Sequence, residues 1–317
     1  MLRRSVSTDL LLQIKEVDQI LLVIVCIVSG IILRKTFTIG EEGPRVLNNL
    51  IIYFFIPIIT LLHVPVIEFK AELIWLTVAP FIIFTCSFIF FQLFDKIQNL
   101  GHDTKLALIL TSGIGSTSFV GFPIFEMLYG AEGLAYGVFL SVGGTILVFN
   151  TIGLFTLFYH TEQNLKPYRM IKKLLFFFPF VTFLFAIILN IFSVGFPPYL
   201  IQILKLLVQP FSVIAFISIG MQIKFTLTLE FTKYLLLGQF FKLILSPLII
   251  FCLLYLISDT QNTIAKVCIL GAAIGSMNAM SIITAEKNIS PKLAIMMPAI
   301  GIPISIPILF IIHRMLT

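Results

Sequence analysis

The chain has 317 residues, of which 59% are hydrophobic and 11% charged, and its formal net charge is +6. Soluble domains carry about 25% charged residues, so this composition excludes a soluble globular domain and predicts a membrane protein. The positive charge lies in short loops between apolar stretches, which is not the pattern of a nucleic-acid-binding surface.

A helix needs about 20 residues to cross the hydrocarbon core of a bilayer, and apolar stretches of about that length follow one another along the chain. We number them spans 1 to 10. They cover Gln19–Leu33, Val46–His63, Leu73–Phe94, Lys105–Tyr129, Glu132–Phe158, Leu174–Ser193, Tyr199–Met221, Tyr234–Ile257, Ile264–Ala285 and Ser290–His313. Span 1 is short, and it lengthens backwards if its helix is capped near Ser7. The prediction is an all-α polytopic membrane protein with ten transmembrane helices.

The two halves of the chain repeat one plan. The motif GIGS at Gly113–Ser116 recurs as AIGS at Ala273–Ser276, and the same separation carries Glu126 onto Glu286. The motif PFIIF of span 3 recurs as PLIIF in span 8. In an apolar protein, paired halves with Gly- and Pro-interrupted segments at corresponding positions indicate a secondary transporter and its substrate site.

The repeat divides the chain into residues 19–158, residues 174–313 and a connecting segment, residues 159–173. Each half has five spans, so the second half enters the membrane from the opposite face and the repeat is inverted. The connecting segment is basic, and most of the 21 lysines and arginines fall on its side of the predicted topology. Because basic residues concentrate in cytoplasmic loops, we predict a cytoplasmic linker, with both termini outside, in the plasma or inner membrane.

Four segments carry a family resemblance. They are RVLNNLIIYFFIPIITL (Arg45–Leu61), STSFVGFPIFEMLYG (Ser116–Gly130), VGFPPYLIQILKLLVQPFSVIAFISIGM (Val194–Met221) and KLILSP (Lys242–Pro247). In this order and spacing they resemble the auxin efflux carrier family of membrane transport proteins, over nearly the whole chain. The long hydrophilic central loop of the plant PIN proteins is absent, so the chain is similar to a compact, prokaryotic-type member.

The resemblance implies two inverted five-helix repeats. In that arrangement spans 1, 2, 6 and 7 form a dimerising scaffold, spans 3 to 5 and 8 to 10 form a moving transport domain, and broken spans 4 and 9 cross at mid-membrane at the substrate site. The chain departs from the family pattern in two places. Ser116 stands where the family commonly has an asparagine, and residues 264–290, which include span 9, contain no proline. Gly271 and Gly275 are left to supply the flexibility of that span.

Polar and small residues in spans 4 and 9 predict a binding site. Pro123 lacks a backbone donor, so we expect residues 121–123 to interrupt span 4 near mid-membrane. The freed backbone groups need partners, and the resulting helix ends are suited to a carboxylate. The candidate substrate-binding residues are Ser116, Thr117, Ser118, Gly121, Pro123, Asn150, Gly275, Ser276, Asn278 and Ser281. The open alternative is that small residues only allow membrane helices to pack closely.

Ionisable residues within the spans are few. Lys205 and Lys242 lie close enough to a span end for their ammonium groups to reach the membrane interface, and a structural pairing is the alternative. If one of them acts, Lys242 is the candidate counter-ion, because span 8 belongs to the implied transport domain. Glu126 and Glu286 near the ends of spans 4 and 9 are candidate gate or coupling residues, and solvated helix-end carboxylates are the alternative.

Enzymatic chemistry has little support in the sequence. The four cysteines are scattered over separate spans without ligand spacing, so we predict no metal site, and we predict no cofactor. There is no P-loop for an ATP-driven pump.

We therefore predict a secondary carrier of small organic anions, above all carboxylates, that works by elevator-type alternating access as a homodimer, with a proton or sodium as candidate coupling ion. A sodium-coupled organic-anion symporter is the close alternative. A membrane sensor that binds its ligand without transporting it is the alternative from another class.

Overall fold

The computed structural model describes residues 2–36, 39–40, 42–161, 171–172, 174–223, 231–257 and 260–316. Within these ranges the chain is helical apart from short connections and one isolated antiparallel bridge. Most of the predicted linker, residues 162–170 and 173, lies outside the described residues.

The helices are numbered here in chain order. They are α1 (Leu2–Thr36), α2 (Glu42–Val66), α3 (Ala71–Gln98), α4 (His102–Gly113), α5 (117–129), α6 (131–160), α7 (Phe178–Ile191), α8 (Pro198–Gln222), α9 (Thr232–Ile257), α10 (Thr263–Ala272), α11 (Asn278–Glu286) and α12 (Pro291–Leu316). Gly130 separates α5 from α6 with a φ of 65°, a conformation that glycine adopts without the steric cost of a side chain.

Six stretches of the described residues are long and apolar enough to cross a membrane. They are α2, α3, α5 together with α6, α8, α9 and α12, while α7 and α10 are apolar but shorter. Several of their large hydrophobic side chains face outward, among them Ile97 and Leu256. In water such side chains would be unfavourable, but in lipid they are matched to their surroundings. The chain is therefore a polytopic, all-helical membrane protein.

Predicted spans 4 and 9 are each divided into two helices. Span 9 is divided between Ala272 and Asn278, around the predicted Gly275. In span 4 the prediction was wrong about the position, because the helix is interrupted at residues 114–116 and not at residues 121–123. Pro123 instead occupies the beginning of a helix that follows a π-helical turn, Thr117–Gly121.

The π-helical turns explain why the prolines do not break these helices. Pro57, Pro123 and Pro247 each follow a five-residue π turn that ends two positions earlier. A proline leaves the carbonyl four residues before it without a donor and crowds it. The wider turn relieves this conflict with a local adjustment, as single π turns within helices commonly do.

Two groups of helices pack among themselves. Helix α8 contacts α1 and α2, and α2 also contacts α7. The closest approach is between α1 and α8, where a Cβ on Gly30 would lie 2.2 Å from the carbonyl oxygen of Ile217 and one on Gly220 would lie 2.1 Å from that of Ile27. The second group contains α3 with α4, α9 with α10, and α11 with α12, and the pairs α3–α10 and α4–α12 connect them.

Candidate functional site

The two interrupted helices meet at their interruptions. Gly115 and Ser276 form an antiparallel bridge, in which the N–H of Ser116 donates to the carbonyl of Gly275 at 2.8 Å and the N–H of Met277 donates to that of Ile114 at 2.9 Å. These residues lie within or beside the repeated GIGS and AIGS motifs. The bridge satisfies backbone groups that would otherwise be unpaired in an apolar interior.

Four helix ends converge on this crossing. Helices α4 and α10 end there with carbonyl groups that lack intrahelical donors, and α5 and α11 begin there with free N–H groups. The carbonyl ends carry partial negative charge and the N–H ends partial positive charge. The crossing therefore offers one environment for a cation and another for an anion within a few residues of chain.

Two serine hydroxyls at the crossing are buried without a partner. Ser116 is 3% exposed and Ser276 is 0% exposed, and neither Oγ has a hydrogen-bond partner among the described residues. An unpaired buried hydroxyl is unfavourable by about 1–3 kcal/mol. Gly275, in the interruption of span 9, has no room for a side chain, because a Cβ there would lie 2.6 Å from the backbone of Gly301.

Lys242 of α9 lies against the crossing and not at the membrane interface. Its side chain is 1% exposed, and its Nζ would lie 3.2 Å from a Cβ placed on Gly115. No hydrogen bond or ion pair of this ammonium is found within the described part of the chain. Snorkelling of Lys242 to the interface is therefore wrong, because its helix is covered by others; Lys205, in contrast, is exposed.

Lys242 lines a small cavity at the crossing. Its volume is about 10 Å³, which is about the space that a single water needs. Gly113, Gly115, Gly271 and Thr117 are among its lining residues. Because Gly113 and Gly271 lie at the carboxyl ends of α4 and α10, Lys242 is on the cation-favouring side of the crossing.

Asn278, the first residue of α11, takes part in a network of amide side chains. Its Nδ2 donates to Oε1 of Gln222 at 2.6 Å. The Gln222 Nε2 donates to Oδ1 of Asn48 and to the hydroxyl of Ser218, at 3.2 and 3.1 Å. The network joins α11 to α8 and α2, and so connects the two groups of helices.

The other predicted substrate residues are less directly involved in the crossing. Thr117 lines the Lys242 cavity. Ser118 and Ser281 are engaged elsewhere, Ser118 with the hydroxyl of Ser141 and Ser281 with the carbonyl of Met277. Gly121 is a packing position, because a Cβ there would lie 2.9 Å from Ile274. The amide of Asn150 donates to the carbonyl of Ile146 in its own helix at 2.9 Å, and among the described residues no recorded hydrogen bond joins its side chain to the crossing.

The two predicted gate residues differ in environment. Glu126 is half-buried, and its Oε2 accepts a hydrogen bond from Ser212 of α8 at 3.0 Å. This is a second side-chain contact between α8 and one of the helices that start at the crossing. Glu286 is exposed at the carboxyl end of α11.

Sequence reasoning missed Asn48, Ser218 and Gln222. Asn48 lies in the quoted Arg45–Leu61 segment, and Gln222 directly follows the quoted Val194–Met221 segment. The available signal was the presence of amide side chains within apolar helices, where polar groups require partners. In the described part of the chain no group of three or more His, Cys, Asp or Glu side chains is arranged to hold a metal ion.

The fold and site thus define a polytopic helical membrane protein in which two interrupted helices cross. No family model matches the chain. An uncharacterized transporter of Methanocaldococcus jannaschii is 26% identical over 249 residues, or 76% of this chain and 80% of the relative. An uncharacterized transporter of Methanothermobacter thermautotrophicus is 25% identical over 280 residues, or 87% of this chain and 90% of the relative.

Proposed function

We propose that this protein is a secondary carrier of small organic anions, above all carboxylates, and that the anion binds at the crossing of the interrupted helices. The observation that carries the proposal is the bridge between Gly115 and Ser276, which brings together the free N–H ends of α5 and α11. Helix amino ends of this kind bind carboxylates in transporters with discontinuous helices. The two similar archaeal proteins, both named transporters, support transport in general.

The unpaired hydroxyls and Lys242 add to the anion site. Ser116 and Ser276 supply buried donors without partners, and a bound carboxylate would satisfy them. Lys242 places its amine next to Gly115, where a bound anion would stabilise the charged form. A positive charge in a poorly screened interior attracts an anion strongly even without direct contact. We therefore assign Lys242 the role of counter-ion for the site.

Lys242 also favours a carrier over the sodium-coupled alternative. In transporters with discontinuous helices, sodium or a proton is coordinated by unwound carbonyls and half-helix carboxyl ends. Here Lys242 lines one small cavity together with Gly113 and Gly271, which lie at those ends. Lys242, charged when the anion is bound, would take the place of a coupling cation, so we expect anion transport to proceed in the absence of sodium.

The proposed architecture is two inverted five-helix repeats of the auxin efflux carrier type. The antiparallel direction of the chain at the crossing supports this, because inverted repeats pass each other in opposite directions. The contacts of α8 with α1 and α2, and of α2 with α7, support a scaffold, with the remaining helices as the moving domain. Both termini outside and the linker inside remain predictions, and impermeant labelling of a single cysteine at position 161 in intact cells would contradict them.

The proposal is tested with purified protein in liposomes. Uptake of a radiolabelled carboxylate should be driven by an excess of the same carboxylate inside, with sodium replaced by choline. Protein-free liposomes and liposomes with the Lys242→Met variant are the controls. Exchange in wild type alone supports an anion carrier, and exchange that needs sodium supports the symporter. Specific binding without any flux would favour a membrane sensor and overturn the proposal.

A further inference from the structure

The surroundings of Lys242 contain no group that balances a charge on its side chain. The side chain is 1% exposed, and within the described residues it has no recorded hydrogen bond or ion pair. Helices α3, α4, α5, α6 and α10 all contribute to the walls of the cavity that it lines, and none of the other lining residues is ionisable. A positive charge on Lys242 would therefore stand alone when the site is empty.

The titratable groups of the neighbouring helices do not change this. Helices α3, α4, α10 and α12 pack against α9, and their charged residues all lie within the first or last four residues of each helix. Lys242, in contrast, lies in a π turn in the middle of α9. Between their ends, these four helices carry only the thiols of Cys86 and Cys268. In α5 and α6, the nearest titratable residues in sequence to the cavity are Glu126 and Tyr136, and each is hydrogen-bonded elsewhere.

Burial of this kind makes the charge of Lys242 dependent on a bound anion. An isolated ammonium is strongly unfavourable in an apolar interior, and a lysine there loses its proton more readily than one in water. The Nζ of Lys242 would lie 3.2 Å from a Cβ on Gly115, which belongs to the bridge at the crossing. Coulomb attraction in a poorly screened interior acts over several ångströms, so an anion at the crossing need not touch Lys242 to stabilise its ammonium form.

We propose, on the basis of the carrier function above, that Lys242 couples anion transport to protons. Its amine is neutral when the site is empty, and its Nζ lone pair takes a proton from water when a carboxylate binds. On the other side of the membrane the carboxylate leaves and the proton returns to water. The loaded form then contains one charge of each sign for a monocarboxylate, and the empty form contains neither. Neither form moves an unbalanced charge through the membrane, where such a charge is unfavourable.

Proton uptake on binding is the direct test. Lactate, pyruvate and malate are titrated into the purified protein in buffers of different ionisation enthalpy, and the dependence of the measured heat on the buffer gives the number of protons taken up. At about pH 8 a lysine with the usual pKa near 10.4 is already protonated and takes up none. Wild type should take up close to one proton per bound carboxylate. Lys205→Met, which removes an exposed lysine, is the control and should take up the same number.

The Lys242→Met variant identifies the group that takes up the proton. At saturating carboxylate this variant should bind without proton uptake. Binding to wild type without uptake, or uptake that persists in Lys242→Met, would overturn the assignment and leave the proposed carrier function intact. If none of the three acids bound to wild type, the anion site and the proton coupling would both be refuted.

Flux measurements on the wild-type protein test the coupling without depending on any variant. In sodium-free liposomes with the acidic side outside, labelled lactate should accumulate up to about tenfold for each unit of pH difference, the limit for one proton per anion. Protein-free liposomes correct for lactate that crosses the bilayer as the uncharged acid. Exchange of labelled for unlabelled lactate without accumulation by the pH gradient would refute proton coupling but not the carrier. Absence of both would refute both.

Discussion

At the scale of single residues, Lys242 is expected to have the largest effect on both the stability of the protein and the proposed anion site. An ammonium that is 1% exposed and without a recorded partner in the described residues carries a large desolvation cost. Such a residue lowers the stability of the protein that contains it. We propose that this cost is tolerated because the side chain supplies positive potential at the crossing.

Replacing Lys242 separates stability from function. Lys242→Met removes the buried charge and keeps the length and much of the volume of the side chain, so we expect a higher melting temperature. Carboxylate affinity should fall by roughly tenfold or more, as for other buried charges that face a bound ion. Differential scanning fluorimetry and calorimetry on one preparation give both values. A lower melting temperature with wild-type affinity would assign Lys242 a structural role only.

The sequence identified most of the residues at the crossing but not their environments. Ser116 and Ser276 were predicted from the repeated motifs and Asn278 as a polar residue of span 9, and the structure brings Ser116 next to Gly275. The burial of Lys242 could not be predicted, because it depends on which helices cover α9 and not on the distance to a span end. The partner of Asn278 was likewise unpredictable, since Gln222 is distant in sequence.

At the scale of helices, the crossing depends on glycine more than on proline. Gly275 admits the backbone of Gly301 at a distance that no side chain would allow. Pro123 lies beyond the interruption of its span, and the preceding π turn accommodates it. The sequence predicted that both spans are interrupted, but it placed one interruption at the wrong residues, because a π turn has no clear sequence signal.

A single methyl group at Gly275 should disturb the crossing. In Gly275→Ala the new Cβ would have to displace the backbone of α12, so we expect a melting temperature several degrees lower, as for other overpacked positions, and little transport. Gly195→Ala is the control, because a Cβ at Gly195 meets no atom within 4 Å. Thermal unfolding and liposome flux measure the two effects. Wild-type behaviour of Gly275→Ala would contradict the close approach.

At the scale of the whole molecule, helix α8 marks the expected dimer surface. In the most apolar part of this helix only 22% is buried within the protein, the lowest share among the six candidate membrane-crossing stretches. Leu206 is 62% exposed on this helix. The exposed surface has to be covered by lipid or by another helix, and the family resemblance implies a second copy of the chain.

Cross-linking in membranes tests this assembly. In a background without the four native cysteines, Leu206→Cys should form a disulfide-linked dimer on mild oxidation. Ile97→Cys on α3 is a matched control, since it is 78% exposed in another part of the molecule, and it should remain monomeric. Equal cross-linking at both positions would indicate random collision, and none at Leu206 would argue against a dimer through α8.

The central claim is that the carboxylate binds at the crossing, and its most direct test is the affinity of the Ser116→Ala, Ser276→Ala double variant. Both hydroxyls lack partners among the described residues, so their removal should leave the melting temperature equal to or above that of wild type. Ser305→Ala, which removes a buried hydroxyl bonded within α12, is the control. We predict roughly ten- to a hundredfold weaker carboxylate binding in the double variant alone. Unchanged affinity would contradict the account and place the anion elsewhere.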